Sequence, residues 1–298
     1  MKQDYRQLLK PEIINSVSGM ALISRVIVDG YLNGLNHSRR VGSGMEFSQF
    51  RGYEPGDDLR LLDWKMLARS GRYYIKQSEI ETNISIKFIL DTSGSMLHKE
   101  GDLTKIDLAK VLIASLAYLS QNQGDAIGLF ALNEKELHSI HPKIQKQHFN
   151  RMLLELINIE PQGKWPQNAN TTFKLHDNTH KELIFFITDM YEHDDELTSF
   201  IKRLKTLRNE VVVLHLMGEK ELKFSYKGML TFEDLETGTK LKVDAKAAKK
   251  QYKKLLKDKM KTTKDLLLSN NISYQLFSLH EPLGEAIKLF LKRRNNLM

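Results

Sequence analysis

The chain has 298 residues, of which 41% are hydrophobic and 28% are charged, and it contains no cysteine. This composition is typical of a protein with a hydrophobic core, and the missing cysteine excludes disulfides, thiolate zinc sites, iron–sulfur clusters and cysteine nucleophiles. The formal net charge of +8 is compatible with an acidic partner or a nucleic acid. Because we find neither a secretory signal nor an apolar run long enough to span a bilayer, we expect a soluble, cytoplasmic protein.

Residues 1–83 are predicted to form a smaller N-terminal segment. A helix is predicted over residues 11–33, with Pro11 near its start and Gly34 directly after it. A glycine-rich and arginine-rich stretch follows, in which strands and helices do not alternate. We therefore separate this segment from the rest of the chain.

Strand-like and helix-like segments alternate over residues 84–298. Strands are predicted at residues 84–90, 126–132, 183–188, 211–216 and 272–277, and helices at 105–122, 145–157, 196–207 and 283–294. An insertion near residues 218–243 is rich in turn residues. Strands that are apolar on both faces and separated by helices predict an α/β fold with a doubly wound, mostly parallel sheet. Ligands of such sheets bind beyond the carboxyl ends of the strands.

A lysine-rich helix is predicted over residues 245–268. Residues 240–264 contain eleven lysines, and apolar residues recur between them at helical spacing. This pattern favours a surface helix with a solvated lysine face. Docking of an acidic partner and nucleic-acid binding stay open as alternatives, although no known nucleic-acid reading motif is present.

A candidate metal site begins at Asp91. The sequence DTSGSM follows the predicted strand ISIKFIL, so Asp91, Ser93 and Ser95 stand at alternate positions. One carboxylate and two hydroxyls are hard ligands suited to Mg²⁺ or Mn²⁺. The alternative is a turn in which these side chains cap the following helix.

Asp189 ends the predicted strand LIFFIT, and in a parallel sheet it would reach the same edge as Asp91. Its carboxylate could hold a metal-bound water or a coordinating hydroxyl, or it could cap the next helix. A metal-dependent hydrolase using Asp91 and Asp189 would need a further carboxylate or base. The loop PQGKWPQNANTT supplies none, and the phosphate-binding and nucleophile motifs of common enzymes are missing.

The DTSGSM and ITDM segments resemble the metal-ion-dependent adhesion site of von Willebrand factor A domains. An upstream set of residues resembles the signature of the bacterial domain of unknown function 58 family, and so does the segment FEDLETG (Phe232–Gly238). The upstream set comprises Gly44, Glu46, Phe47, Arg51, Tyr53, Pro55, Gly56, Asp57, Asp58, Arg60, Asp63, Trp64, Lys65, Ala68 and Arg69. The resemblance implies a von Willebrand factor A-like domain over residues 84–298. It also implies a non-enzymatic adaptor or partner of a MoxR-type AAA+ ATPase, with an unknown client protein.

The sequence departs from the adhesion-site pattern at one point. Such sites take a threonine from a Gly-Gly-x-Thr-like loop, whereas this chain has PQGKWPQNANTT, with Gly163 followed by Lys164. Either Thr171 or Thr172 stands in for that threonine, or the ligand is missing and the site is degenerate.

The charged residues of the upstream signature have two interpretations. They form either an ion-pair cluster around a turn or a partner-binding surface that recognises carboxylate or phosphate groups. These residues are Arg51, Asp57, Asp58, Arg60, Asp63, Lys65 and Arg69.

Overall fold

A computed structural model describes residues 9–36, 50–54, 62, 64–76, 84–167 and 181–295. The chain forms two compact units, and the described residues before residue 35 belong to the same unit as those from Ile84 onward. Residues 35–83 form the second unit. The units therefore do not follow the predicted division at residue 83. The physical reason is that Ile14, Met20, Ile23 and Ile27 are buried in the core of the larger unit.

In chain order, the first helices and strands of the described residues are α1 (Pro11–Ile14), α2 (Val17–Asn36), β1 (Phe50–Gly52), α3 (Trp64–Ser70), β2 (Tyr74–Lys76) and β3 (Ser85–Asp91). A turn of 3₁₀ helix (Gly94–Leu97) precedes β4 (Lys99–Glu100), β5 (Leu103–Thr104), α4 (Lys105–Asn122), β6 (Ala126–Leu132), β7 (Leu137–Lys143) and α5 (Lys146–Asn158). The chain continues with β8 (Glu182–Thr188), α6 (Glu196–Leu204), β9 (Asn209–Met217), α7 (Glu219–Lys223), β10 (Met229–Glu233), β11 (Lys240–Asp244), α8 (Ala245–Ser269), β12 (Ser273–Ser278) and α9 (Leu283–Asn295).

A six-stranded sheet organises the larger unit, with the strand order β12-β9-β8-β3-β6-β7. All neighbours in this sheet are parallel except β6 and β7. Numbered along the chain, this is the 3-2-1-4-5-6 order of doubly wound folds, read from the other edge. The predicted fold class, an α/β protein with a mostly parallel sheet, is therefore confirmed.

Helices cover both faces of the sheet because its central strands are apolar on both sides. In β3, Phe88 and Leu90 face a core that also contains residues of α1, α2, α4, α5 and α9, whereas Ile89 faces the core formed with α6 and the end of α8. The helix after β3 and the helix after β8 thus lie on opposite faces. Between β3 and β8 the connections therefore change from one face of the sheet to the other. This change leaves a crevice at the carboxyl ends of these two strands.

Sequence patterns missed two features. Strand β7 was not predicted because its side chains are mostly exposed or half-buried, as suits an antiparallel edge strand. The predicted helix over 11–33 is broken between α1 and α2, where the Ser16 hydroxyl accepts a hydrogen bond from the Gly19 amide at 3.1 Å. That bond caps a new helix.

The insertion after β9 contains α7 and a hairpin of β10 and β11, and it leads into α8. Within α8 only Ala245 and Leu267 are buried, and the lysines of this helix lie on its outer side. Tyr252 packs on Phe224 with ring centroids 4.5 Å apart. The helix is thus a surface helix with a solvated lysine face. Of the helices in the described ranges, none is long and apolar enough to cross a membrane.

Candidate functional site

Asp91 and Asp189 lie at the same edge of the sheet. Asp91 is the last residue of β3, and Asp189 follows β8, whose residue Ile187 pairs with Leu90. Both aspartates are buried. Parallel pairing of the two strands therefore brings together two carboxylates that are distant in sequence.

A chain of hydrogen bonds connects the two carboxylates. The Ser93 amide donates to Asp91 Oδ1 at 3.0 Å, and the hydroxyl oxygens of Ser93 and Ser95 are 3.0 Å apart. The Ser95 hydroxyl donates to Asp189 Oδ1 at 3.0 Å. Predicted site residues Asp91, Ser93, Ser95 and Asp189 thus form one buried cluster of oxygen atoms, and Asp189 contacts it through the Ser95 hydroxyl.

Thr188 supports the cluster and was not identified from the sequence. Its hydroxyl donates to Asp91 Oδ2 at 2.8 Å and accepts from the Met190 amide at 2.9 Å. Met190 has a φ of 55°, so the chain turns sharply directly after Asp189. A threonine at a strand end carries no special signal, because threonine is an ordinary strand former.

Lys105, the first residue of α4, was also missed. Its Nζ atom lies 2.9 Å from Asp189 Oδ2 and 3.0 Å from Glu221 Oε1. Burial by itself would lower the pKa of Lys105, but the two carboxylates hold that pKa above its usual value. Burial would likewise raise the pKa of Asp189, but the Lys105 ammonium keeps it below its usual value. We conclude that Asp189 and Lys105 form a buried ion pair.

Asp91 has no such ammonium beside it among the described residues that contact it. Burial raises the pKa of Asp91, and the charge of Asp189 raises it further, while hydrogen bonds from Ser93 and Thr188 oppose the shift only in part. Glu236 shows the same effect, because burial and the charge of Asp91 raise its pKa to about 7. Negative charge on these buried carboxylates is therefore disfavoured, and a bound cation would favour it.

The turn of the hairpin (residues 234–239) approaches the Asp91 loop (residues 91–96). A Cβ atom on Gly94 would lie 2.6 Å from the Leu235 carbonyl oxygen, so only glycine permits this approach. The Tyr191 hydroxyl donates to Asp234 Oδ2 at 3.1 Å. The turn thus contacts the loops that follow both β3 and β8.

The loop at Gly163, which lacks the Gly-Gly-x-Thr pattern of adhesion sites, contacts the Asp91 loop through its backbone. The Gly94 amide donates to the Gly163 carbonyl at 2.8 Å, and the Gln162 amide donates to the Thr92 carbonyl at 2.9 Å. Gly163 has a φ of +63°, a conformation that glycine adopts without strain. Thr171 and Thr172 lie outside the described residues, so their predicted metal role stays a prediction.

The charged residues of the upstream signature belong to the smaller unit. Lys65 and Arg69 are exposed on α3, and Arg51 lies in β1. Asp57, Asp58, Arg60 and Asp63 lie outside the described residues. Partner binding by this set therefore stays a prediction.

The donor atoms of the cluster suit Mg²⁺ or Mn²⁺, because they are carboxylate and hydroxyl oxygens. Across the part of the chain that the structure describes, no three side chains of the His, Cys, Asp and Glu types converge on a metal position. A cation at this edge would thus depend on the hydroxyls of Ser93 and Ser95 together with Asp91.

Several solved structures are similar to this chain. BatB from Bacteroides thetaiotaomicron is 13% identical, with 72% of this chain and 100% of that chain covered and a TM-score of 0.46. An aerotolerance-related membrane protein from Bacteroides fragilis NCTC 9343 is 18% identical over the same shares, with a TM-score of 0.47. The von Willebrand factor type A structure from Catenulispora acidiphila is 12% identical, with 70% of this chain and 42% of that chain covered and a TM-score of 0.37.

Sequence relatives were found in mycobacteria. Uncharacterized proteins of Mycobacterium bovis (strain ATCC BAA-935 / AF2122/97) and Mycobacterium tuberculosis (strain ATCC 25618 / H37Rv) are each 21% identical over 234 residues. The matches cover 76% of this chain and 72% of each relative. The family model described as "Protein of unknown function DUF58" matches residues 49–262. This match covers more than half of the chain, and the protein belongs to the DUF58 family.

Proposed function

We propose that this protein is a non-enzymatic protein-interaction module that binds Mg²⁺ or Mn²⁺ at the carboxyl edge of its sheet. Asp91, Ser93 and Ser95 would be the protein ligands, and Asp189 would orient the Ser95 hydroxyl. The observation that carries this proposal is the buried hydrogen-bond chain from Asp91 through the two serines to Asp189. Such a chain fixes the ligand oxygens before a cation arrives.

The charge distribution supports binding rather than a purely structural turn. Lys105 neutralises Asp189, while Asp91 remains a buried carboxylate with a raised pKa. A divalent ion would supply the positive charge that Asp91 lacks, and it could take a carboxylate of another protein as a further ligand. The site would thereby bind acidic side chains of a partner.

The proposed partner is a MoxR-type AAA+ ATPase, with this protein as its adaptor. Support comes from the family resemblance, which is an argument by association rather than from the geometry of the site. The exposed lysines of α8 and the exposed Lys65 and Arg69 of α3 offer further surfaces for an acidic partner.

The cation site is tested by calorimetric titration of the chelator-treated protein with Mg²⁺ and Mn²⁺. We expect saturable binding that Asp91→Ala removes, because this substitution deletes the charged ligand. Asp194→Ala is the matched control, since Asp194 is an exposed aspartate outside the cluster. Wild-type protein that binds neither ion would refute the proposed cation site.

The partner is tested by copurification with a MoxR-type ATPase from the same organism, in Mg²⁺ and in chelator. We expect capture that needs Mg²⁺ and is lost in Asp91→Ala but kept in Asp194→Ala. Capture that is equal in chelator and in both variants would exclude a cation-mediated contact. It would leave the exposed lysines of α8 and the charged residues of the smaller unit as the remaining candidates.

A metal-dependent hydrolase using Asp91 and Asp189 is the second candidate function. The observation that favours it is Glu236, a further carboxylate near Asp91 whose pKa is raised to about 7, a value suited to a general base. Against it, only 3% of the Glu236 side chain is exposed, which leaves little access for a substrate. Turnover of p-nitrophenyl phosphate with Mn²⁺ that is lost in Glu236→Gln would support the hydrolase.

A further inference from the structure

Glu236 is a buried carboxylate whose hydrogen-bonding capacity is not satisfied. It lies in the turn of the hairpin, and only 3% of its side chain is exposed. Its Oε1 atom is buried and has no hydrogen-bond partner among the described residues. Buried carboxylate oxygens normally pair with donors or coordinate metals, because losing water is costly for a charged group. An unpaired oxygen in this position points to a missing ligand.

The hairpin turn holds Glu236 in place through contacts that do not involve its carboxylate. Asp234 accepts hydrogen bonds from the Glu236 amide at 2.9 Å and from the Thr237 hydroxyl at 2.7 Å. Tyr191 binds the same aspartate from the loop after β8, and Leu235 packs against Gly94 of the Asp91 loop. The position of Glu236 is thus set by the backbone of the turn and by both loops of the site.

The surroundings of the Glu236 carboxylate are dominated by negative charge. The carboxylates of Asp91 and Asp189 are close enough for their charges to act on Glu236, and Ser93 hydrogen-bonds to it. Among the described residues its ion-pair partner is His193, whose Nε2 atom is 3.7 Å from Glu236 Oε2. Lys105 is already paired with Asp189 and Glu221. Repulsion between buried carboxylates is relieved by a proton on one of them or by a cation that both can bind.

We propose that Glu236 is a ligand of the cation held by Asp91, Ser93 and Ser95, supplied by the hairpin where the adhesion-site pattern would supply a threonine. This inference rests on the proposed function. It explains how the site can work although the loop at Gly163 lacks the Gly-Gly-x-Thr pattern. Glu236 would then occupy a coordination position of the cation, and a carboxylate from a partner would have to compete with it for the cation.

The test compares Glu236→Gln with Glu233→Gln in calorimetric titrations of the full chain with Mn²⁺. Glu233 lies in the same hairpin, but its side chain is 53% exposed and pairs with Lys240, which makes it a matched control. We expect Glu236→Gln to weaken Mn²⁺ binding by more than about tenfold. Losing a residue that only supports a ligand already weakens metal binding by about tenfold or more, and losing a direct ligand should cost at least as much. Glu233→Gln should bind Mn²⁺ like the wild type.

Amide hydrogen exchange gives a second readout that does not depend on affinity alone. At saturating Mn²⁺, exchange across residues 229–244 should slow in the wild type and in Glu233→Gln, because the cation ties the hairpin to the Asp91 loop. In Glu236→Gln the same segment should exchange at one rate with and without Mn²⁺. Thermal unfolding in chelator should show that Glu236→Gln is folded.

The outcomes separate this inference from the proposed function. If the wild type binds Mn²⁺, Asp91→Ala does not, and Glu236→Gln binds as tightly as or more tightly than the wild type, Glu236 is not a ligand and only the inference fails. If the wild type binds no cation, the proposed cation site fails and the inference fails with it.

Discussion

Lys105 Nζ lies 2.9 Å from Asp189 Oδ2, and 5% of the lysine side chain and 2% of the aspartate side chain are exposed. This ion pair gives the two aspartates of the site different roles. Asp189 pairs with an ammonium and accepts a hydrogen bond from Ser95, whereas Asp91 has no ammonium beside it among the described residues that contact it, and its pKa is raised. The sequence alone predicted both aspartates at one edge of the sheet, with Asp189 in the supporting role, but it did not identify the ammonium that pairs with Asp189.

Removing the ammonium should destabilise the protein. Lys105→Met keeps the length of the side chain but leaves Asp189 and Glu221 without their partner, and breaking a buried pair costs about 3–5 kcal/mol. Urea denaturation in chelator would measure this loss of unfolding free energy. Lys99→Met is the control, because Lys99 is exposed and its loss should change stability by less than about 0.5 kcal/mol. Equal stability of Lys105→Met and wild type would contradict the assigned ion pair.

Removing one hydroxyl of the hydrogen-bond chain should weaken cation binding with little effect on the fold. Ser95→Ala deletes the group between Ser93 and Asp189, and we expect Mn²⁺ affinity to fall by about 10-fold to 100-fold. Ser115→Ala is the matched control, because Ser115 is a buried serine whose hydroxyl donates to the Val111 carbonyl in α4. Both variants and the wild type are titrated with Mn²⁺. If Ser95→Ala binds Mn²⁺ as tightly as the wild type and Ser115→Ala do, Ser95 is not a ligand.

A side chain at Gly94 should separate the hairpin turn from the Asp91 loop. In Gly94→Ala the new methyl group would lie 2.6 Å from the Leu235 carbonyl and 3.3 Å from the Gly163 carbonyl. We expect a stability loss of about 1–3 kcal/mol and faster proteolytic cleavage within residues 229–244. Gly52→Ala should have no such effect, since its Cβ would have no neighbour within 4 Å. Unchanged cleavage in Gly94→Ala would argue against close packing of the turn.

His215 should make stability depend on pH. Burial lowers the pKa of His215 from 6.5 to about 4, and its Nδ1 atom is 2.7 Å from the Tyr274 hydroxyl oxygen. Between these two pH values the unfolded chain binds a proton that the folded protein does not bind, so the unfolding free energy falls as the pH falls from 6.5 to 4.

The contribution of His215 is isolated by comparison with His215→Gln. The unfolding free energy of the wild type minus that of the variant should drop by on the order of 3 kcal/mol between about pH 7 and about pH 4. Urea denaturation at several pH values measures this difference, in which the titration of other groups cancels. A difference that stays constant with pH would show that His215 is protonated equally in both states.

Much of the fold could be predicted because its elements are encoded locally. Helix α4 and strand β6 have the predicted bounds. In α4 the reason is a capping box between Thr104 and Asp107, together with an apolar run that ends before Gly124. Strand β7 could not be predicted, since an exposed edge strand lacks the apolar pattern by which strands are recognised.

For the site, the sequence by itself determined that Asp91, Ser93 and Ser95 alternate after a buried strand, and that Asp189 ends another. Parallel pairing then requires both aspartates to lie at one edge, so their proximity was predictable. Only the tertiary structure decided that Lys105 neutralises Asp189, that Thr188 donates to Asp91, and that Glu236 approaches from the hairpin. These contacts depend on how distant elements pack, and the close approach of Leu235 to Gly94 is fixed by shape rather than by any local pattern.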